Sequence, residues 1–184
     1  MNTALIIVDI QKDYFPEGRM ELVGATPASE AANRLLAAFR KKDLFTVHIQ
    51  HISNREGATF FLPNTDGIDF HANVRPLPDE TVIQKHYPNS FKATELRSTL
   101  EKENIGQLVI CGMMSHMCID ATVRAAFDMG YQCIVAHDAC ATRNLAFSGV
   151  DIPAEHVHGA FMAALGSVYA KIMKTDEVID MFQR

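Results

Sequence analysis

The chain opens with an uninterrupted apolar run, Ala4–Val8, which ends at Asp9. A short β-branched run without polar alternation is typical of a strand buried on both faces of a sheet. Comparable runs predict five more strands, the last of them short: Phe45–Ile52, Thr81–Gln84, Gln107–Cys111, Gln132–Ala136 and Lys171–Met173.

Helix-forming segments alternate with these strands. In the first, apolar residues recur at helical spacing, and Thr26 followed by Pro27 predicts a start there with Thr26 as the N-cap. The other predicted helices are Lys92–Asn104, Ser115–Met129, Pro153–Ala170 and a terminal helix after Met173. This order predicts an α/β fold: one three-layer αβα domain over residues 1–184, with a mainly parallel, Rossmann-like sheet of about six strands.

Composition narrows the classes of protein that this chain can belong to. Its 184 residues include 48% hydrophobic and 21% charged residues, with a net charge of −5, as in ordinary globular domains. The 17 basic residues are scattered, which argues against a nucleic-acid partner. No apolar run approaches the ~20 residues of a membrane span, and no signal peptide is recognisable. Four cysteines without a C-x-x-C pair indicate reduced thiols, so we expect a cytoplasmic protein.

Two stretches are too long for simple connections, residues 53–80 and 142–152. Loops of this length commonly act as lids or binding loops. The first contains Phe60 and Phe61, which we expect to line a pocket or a subunit contact. Together with Phe15 and Tyr87 they are candidate pocket walls, with ordinary core packing as the alternative for all four.

Three reactive side chains follow predicted strands. Asp9 ends the first strand, Lys85 ends the third, and Cys118 lies one turn into the helix after the fourth. Singly, each has an ordinary structural explanation: a turn aspartate, a solvated lysine, a core cysteine. Ligands of open parallel sheets bind beyond the carboxyl ends of the strands, where the strand order reverses. The coincidence of an acid, a cation and a thiol at that edge therefore favours a functional site.

The position of Cys118 predicts how its thiol is tuned. With Ser115 as the N-cap, Cys118 is the third helical residue, where free N–H groups and the helix dipole lower a thiol pKa. The same N–H groups can hold an oxyanion. The Ser115 hydroxyl would, however, compete for the Cys118 N–H.

Four segments in order resemble the isochorismatase-like cysteine hydrolases, a family that includes nicotinamidases and other small-amide hydrolases. They are ALIIVDIQKDYF at residues 4–15, VIQK at 82–85 followed by SF at 90–91, GMMSHMCIDAT at 112–122, and HDACAT at 137–142. The resemblance covers essentially the whole chain. It implies a catalytic triad of Asp9, Lys85 and Cys118, with a cis peptide between Met113 and Met114.

The resemblance also implies a reaction. The backbone N–H groups of Met114 and Cys118 would form an oxyanion hole, and Cys118 would cleave a C–N bond of a small amide through a thioester. Gln11, beside Asp9, is a candidate for orienting the substrate. Family members are usually oligomers, so we expect a homodimer or homotetramer.

Departures from the nicotinamidases weaken nicotinamide as the substrate. The chain has no tryptophan, and its eight histidines are scattered. His48 and His51 fall on opposite faces of a strand, and His156 and His158 diverge on a helix. We therefore expect no metal and no cofactor, with His51 or His71 reaching the pocket at most through the long loop. The turn after the first strand lacks the glycines of a dinucleotide site.

Two other functions remain open from the sequence. One is an isochorismatase-type hydrolase that cleaves a vinyl ether, although some such members lack the cysteine. The other is a redox or binding protein in which Cys118 senses oxidants and Asp9 is dispensable.

Overall fold

A central parallel sheet organises the structure, a computed structural model that describes residues 2–183. Met1 and Arg184, the ends of the predicted domain, lie outside the described residues. The strands are β1 (Asn2–Val8), β2 (Thr46–His51), β3 (Thr81–Lys85), β4 (Ile105–Met113), β5 (Gln132–Ala141), β6 (Leu145–Phe147), β7 (Val150–Ile152) and β8 (Lys171–Met173). Six of them form the sheet in the order β3-β2-β1-β4-β5-β8, all parallel.

Helices cover both faces of this sheet. They are α1 (Ala25–Lys41), α2 (Leu96–Lys102), α3 (Asp120–Asp128), α4 (Ala154–Val168) and α5 (Thr175–Gln183). One face carries α1 and α5, and the other carries α2, α3 and α4. Within residues 2–183, no helix combines the length and the apolarity that crossing a bilayer requires. The predicted three-layer α/β fold is confirmed.

The two hydrophobic cores explain the apolar run at the start of the chain. Leu5 and Ile7 belong to the core under α1, whereas Ala4, Ile6 and Val8 belong to the core under α2, α3 and α4. All five side chains are fully buried. Because successive strand residues point to opposite faces, a strand covered on both sides needs apolar residues throughout.

Three predicted helix starts are wrong. The helix predicted from Ser115 is a π-helical turn over Ser115–Ile119, and the α-helix begins at Asp120. The first helix begins at Ala25, and the residue before it, Gly24, has a left-handed φ of 75°. Thr26 therefore lies inside the first turn and does not cap it. The second helix begins at Leu96 instead of Lys92. A turn precedes it in which Thr94 Oγ1 donates to the Ser90 carbonyl (2.6 Å), and the left-handed φ of 55° at Ala93 interrupts helical geometry.

The two long connections differ in structure. Residues 53–80 contain only two short 3₁₀ turns, Asp66–Ile68 and Ala72–Val74. The stretch 142–152, predicted as a loop, contains the antiparallel pair β6 and β7. Its tight turn uses positive φ at Ser148 and Gly149, 51° and 78°. Ser-Gly is a weaker hairpin signal than Asn-Gly or Asp-Gly, which explains why this pair was not predicted.

Strand order reverses between β1 and β4, and this places the crevice of the sheet beside Asp9. Gly112, near the end of β4, pairs with Val8 and has φ of 130°. A Cβ atom at Gly112 would lie 2.0 Å from the Val8 carbonyl oxygen. The two strands can approach this closely only because residue 112 has no side chain.

We expect Gly112→Ala to lower the free energy of unfolding by more than ~3 kcal/mol, because the cost of the strained φ angle and the cost of the backbone clash add together. Gly130→Ala is the matched control, since Gly130 also has positive φ (91°) but open space around its Cβ position. It should cost only about 1 kcal/mol. Urea unfolding of both variants measures the difference, and equal losses would contradict the close-approach explanation.

Candidate active site

The structure brings the three predicted catalytic residues into one buried cluster. The Lys85 ammonium lies 2.7 Å from Asp9 Oδ2 and 3.2 Å from Cys118 Sγ. Asp9 is fully buried, and Lys85 and Cys118 are only 1% and 4% exposed. A lysine is almost never buried without a partner, and here an acid and a thiol supply it.

The sheet explains how these residues meet. Asp9 directly follows β1, where a left-handed φ of 53° turns the chain and its N–H donates to the Ile49 carbonyl (3.1 Å). Lys85 is the last residue of β3 and pairs in register with His51 of β2. Cys118 lies in a π-helical turn, Ser115–Ile119, between β4 and α3. All of them therefore belong to the carboxyl edge of the sheet.

His51 is a fourth member of the cluster. Lys85 Nζ lies 3.0 Å from His51 Nδ1, and Asp9 Oδ2 lies 4.0 Å from the same nitrogen. An ammonium can only donate, so Nδ1 accepts and the ring proton is on Nε2. Burial lowers the pKa of His51 to about 4, so the ring is neutral at pH 7. The sequence allowed His51 to line the pocket through the long loop, and the structure places it there through the end of β2.

Asp9, His51 and Cys118 could each offer one metal-ligand atom within 4.8 Å of the others. Lys85 Nζ, however, contacts all three residues at 2.7 to 3.2 Å. Its ammonium thus lies where a metal ion would have to bind, and the charge of a second cation would oppose it. These residues therefore fit a lysine-centred site better than a metal site.

Electrostatics corrects the prediction for the thiol. Burial and the Asp9 charge raise the pKa of Cys118 and the Lys85 charge lowers it, and together they give a pKa of about 12. The expectation that a helix start lowers this pKa is wrong, because burial beside a carboxylate outweighs the dipole. For Lys85, burial disfavours the charge, but Asp9 and Cys118 outweigh it, so its pKa lies above the ordinary value.

Ser115 does not act as the predicted N-cap. Its hydroxyl donates to the Ala141 carbonyl at 3.3 Å and lies 2.8 Å from His158 Nδ1. The expected competition with the Cys118 N–H is therefore absent among the described residues. The peptide bond between Met113 and Met114, immediately before this turn, is cis.

The Gln11 side chain lies at the site, but its amide group is hydrogen-bonded to the backbone of the protein. Its side-chain amide donates to the His51 and Ile68 carbonyls, both at 2.9 Å, and its Oε1 accepts the His51 N–H at 2.7 Å. Both amide protons are therefore engaged. This geometry favours positioning of His51 and of the 53–80 loop over contact with a substrate.

The aromatic candidates separate into different places. Phe61 is fully buried, with its ring centroid 5.7 Å from that of His51, and Phe60 lies against it at 5.1 Å. The Tyr87 carbonyl accepts from Lys85 at 3.1 Å, while its side chain is 42% exposed. Phe15 instead stacks on His71 (3.8 Å between centroids). These two line a separate cavity of about 660 Å³, whose lining includes none of the three catalytic candidates.

Tyr14 is a site residue that the sequence analysis did not select. It is 1% exposed, with its ring 4.5 Å from Phe61 and 5.7 Å from Phe60. Burial and the charges of Cys118 and Asp9 raise its pKa well above 10.0. The sequence could have indicated Tyr14, because it lies in the segment that follows Asp9, between Asp13 and Phe15.

Comparisons with known proteins agree with this fold. A model of the isochorismatase domain matches residues 3–177. YddQ from Bacillus subtilis (strain 168), an uncharacterized isochorismatase family protein, is 53% identical over 176 residues, which cover 96% of this chain and 98% of YddQ. An isochorismatase structure from Pseudomonas putida KT2440 is 38% identical, with a TM-score of 0.90 and coverage of 96% and 89%. N-carbamoylsarcosine amidase from Thermoplasma acidophilum shares the fold at 23% identity, with a TM-score of 0.82 and coverage of 96% and 98%. The chain belongs to the isochorismatase family, and it is a hydrolase of that family.

Proposed function

We propose that the protein hydrolyses a C–N bond of a small carboxamide or ureide, with Cys118 as the nucleophile and a thioester as the intermediate. The observation that carries this proposal is the buried Lys85 ammonium in contact with both Asp9 and Cys118. A nucleophile next to a proton acceptor, with both held by a third group, is the arrangement of covalent catalysis. The amidase among the proteins of the same fold supports C–N cleavage.

The resting thiol is protonated, because the pKa of Cys118 is about 12. As sulfur attacks the carbonyl carbon, Asp9 accepts the thiol proton and the carbonyl electron pair moves onto oxygen. Backbone N–H groups of Met114 and Cys118 stabilise this oxyanion. When the oxyanion collapses, the C–N bond breaks and Asp9 returns the proton to nitrogen. Water then attacks the thioester, which is a thiocarbamate when the substrate is a ureide, with Asp9 as base. The carboxylic or carbamic acid leaves, and Asp9 returns the proton to the departing sulfur, which restores the thiol.

Lys85 supplies a fixed positive charge to both partners of this proton transfer. It pairs with the Asp9 carboxylate at 2.7 Å and stabilises the thiolate that develops during attack. His51 Nδ1 and the Tyr87 carbonyl oxygen lie 3.0 and 3.1 Å from the same ammonium and share its three protons with Asp9 and Cys118, so the ammonium is held in place. The pKa of Lys85 is raised, so the ammonium keeps all its protons during turnover.

Vinyl-ether cleavage is the second candidate, favoured by the 38% identical isochorismatase. Oxidant sensing is disfavoured, because peroxide reacts with a thiolate and the Cys118 thiol has a pKa of about 12. Ammonia release and vinyl-ether turnover measured side by side separate the two hydrolytic reactions.

Ammonia release from a panel of small amides and ureides tests the reaction itself. We expect wild-type turnover of at least one compound and a loss of about 10³-fold or more in Cys118→Ala, because the covalent step is removed. Cys133→Ala is the matched control, a buried cysteine on β5, and should keep full activity. Mass spectrometry of acid-quenched wild type should show the acyl adduct. Turnover by Cys118→Ala, or only of a vinyl ether, would contradict the proposal.

Asp9→Asn separates the two effects of Asp9. We expect turnover to fall by roughly 10²–10⁴-fold because the general base is lost. The Cys118 pKa should fall as well, because the Asp9 charge raises it. Alkylation by iodoacetamide at pH 9, corrected with Cys118→Ala, should therefore be faster than in wild type. Slower alkylation that parallels the loss of turnover would show that Asp9 does not act as described.

Lys85→Met should reveal how strongly the buried charges depend on one another. Removal of the ammonium leaves the Asp9 carboxylate buried and unpaired, which should cost about 3–5 kcal/mol of unfolding free energy. Asp9→Asn combined with Lys85→Met should regain most of this loss, because no buried charge remains. Urea unfolding measures both variants, and a double variant no more stable than Lys85→Met would contradict the coupling.

A further inference from the structure

The hairpin of β6 and β7 has an apolar face that the described residues cover only in part. In its antiparallel register Leu145 lies opposite Ile152, and Phe147 lies opposite Val150. Opposed residues, and residues two apart on one strand, share a face, so these four side chains lie on the same side of the hairpin. Leu145 and Ile152 at the base are half-buried, whereas Phe147 and Val150 at the tip are 75% and 64% exposed. The hairpin therefore projects from the body of the protein with the apolar face of its tip uncovered.

The helix that follows, α4, has an outer face of the same apolar character. On its inner side Val157, Met162 and Leu165 are buried. Its exposed residues beyond the first turn are all small or apolar: Gly159, Ala160, Ala163, Ala164, Gly166, Ser167 and Val168. Between Glu155 and Lys171 the sequence contains no Asp, Glu, Lys or Arg. A surface helix normally carries charged residues on its outer face, and a helix that is apolar all round is normally buried. The composition of α4 therefore indicates that its outer face is covered in the assembled protein.

These two surfaces adjoin one another and have the dimensions of a dimer contact. Asn144, the residue before β6, accepts the Ala154 N–H with its Oδ1 at 2.9 Å, which ties the base of the hairpin to the first turn of α4. The apolar side chains of the hairpin and the exposed residues of α4 together are called the hairpin–α4 face. With its 15 residues α4 is ~22 Å long, and the hairpin strands add ~10 Å. A standard interface covers about 800 Å² of each partner, a patch roughly 30 Å across. The hairpin–α4 face therefore matches the size of a stable interface.

The charge and the shape of this face fit a second copy of the chain. A twofold contact brings the same surface of two molecules together, so a charge at its centre would meet a like charge. The hairpin–α4 face avoids this, because Asp151 lies on the other side of the hairpin, opposite Ala146, and Glu155 lies in the first turn of α4. Phe147 protrudes, whereas the glycines and alanines of α4 leave a flat surface on which an aromatic ring can pack. A nucleic acid or a charged peptide would have no charged group to pair with at this face.

We infer that the hairpin–α4 face binds the same face of a second copy, with Phe147 of each copy packed on α4 of the other. Twofold contacts of this kind are the commonest in soluble homo-oligomers. In this arrangement the hairpin tip and the outer residues of α4 lose their exposure to water, and burial of apolar surface drives association. The contact does not depend on the reaction proposed above.

The same contact braces the π-helical turn that contains Cys118, called the nucleophile turn below. The Ser115 hydroxyl lies 2.8 Å from Nδ1 of His158, which belongs to α4. The Thr142 hydroxyl, three residues before β6, lies 2.6 Å from Nδ1 of His116. These two hydrogen bonds hold the nucleophile turn against α4 and against the base of the hairpin. Because the partner copy fixes both of these elements, it fixes the nucleophile turn as well.

Sedimentation equilibrium of the full chain tests the contact. We expect the wild type to have twice the mass of one chain, or a larger even multiple of it. Phe147→Lys and Ala163→Lys should each halve that mass, because dimerisation would bury an unpaired ammonium. Both positions are exposed in the single chain, so the variants should keep its fold, which circular dichroism checks. Met181→Lys is the matched control, since Met181 is 41% exposed on α5, on the opposite face of the sheet. It should keep the mass of the wild type.

Alkylation of Cys118 tests the bracing of the nucleophile turn. Iodoacetamide, applied as for Asp9→Asn, should react several-fold faster with this thiol in the two half-mass variants than in Met181→Lys. The reason is that a turn held less firmly exposes its buried thiol more often. A wild type with the mass of one chain, or an undiminished mass in either Phe147→Lys or Ala163→Lys, would overturn the inference. Half-mass variants whose thiol is alkylated at the wild-type rate would overturn the bracing of the turn.

Discussion

One buried ammonium group determines the arrangement of the whole catalytic edge. Lys85 Nζ lies within 3.4 Å of acceptors on five residues: Asp9, His51, Tyr87, Pro88 and Cys118. These residues come from the ends of three strands and from the nucleophile turn. Because an unpaired buried charge costs several kcal/mol, any arrangement of these elements that leaves the ammonium without acceptors is disfavoured. The catalytic geometry is thus also a condition of the stability of the fold.

The fold could be predicted from the sequence because burial on both faces of a sheet leaves a local signal. The apolar run Ala4–Val8 and its counterparts located the six strands of the main sheet, and their parallel order followed from the alternating helices. Helix starts were predicted less well. Gly24 and Ala93 determine two of these starts through their left-handed φ angles. Such angles cannot be predicted from a cap residue or from the spacing of apolar residues.

The site could be predicted only in part, for a similar reason. Asp9, Lys85 and Cys118 each follow a strand, so strand order alone brings them together. His51 and Tyr14 depend on tertiary contacts, the first on the parallel register between β2 and β3, the second on the folding of the 53–80 loop onto its ring. The thiol pKa was mispredicted because a local rule about helix ends was applied to a residue whose burial and acidic neighbour dominate.

Alternate residues of the segment 9–13 link the chemistry to the long loop. Asp9 binds Lys85, Gln11 binds the His51 backbone and the Ile68 carbonyl, and Asp13 binds the Phe61 N–H. All three are buried polar side chains, and each binds a different segment around the site. A shift of this loop at Ile68 would break its hydrogen bond to Gln11, and a shift at Phe61 would break its hydrogen bond to Asp13. These two residues are only two and four positions from Asp9. Changes in the 53–80 loop are therefore expected to alter turnover, because the loop and the catalytic residue Asp9 depend on the same short segment.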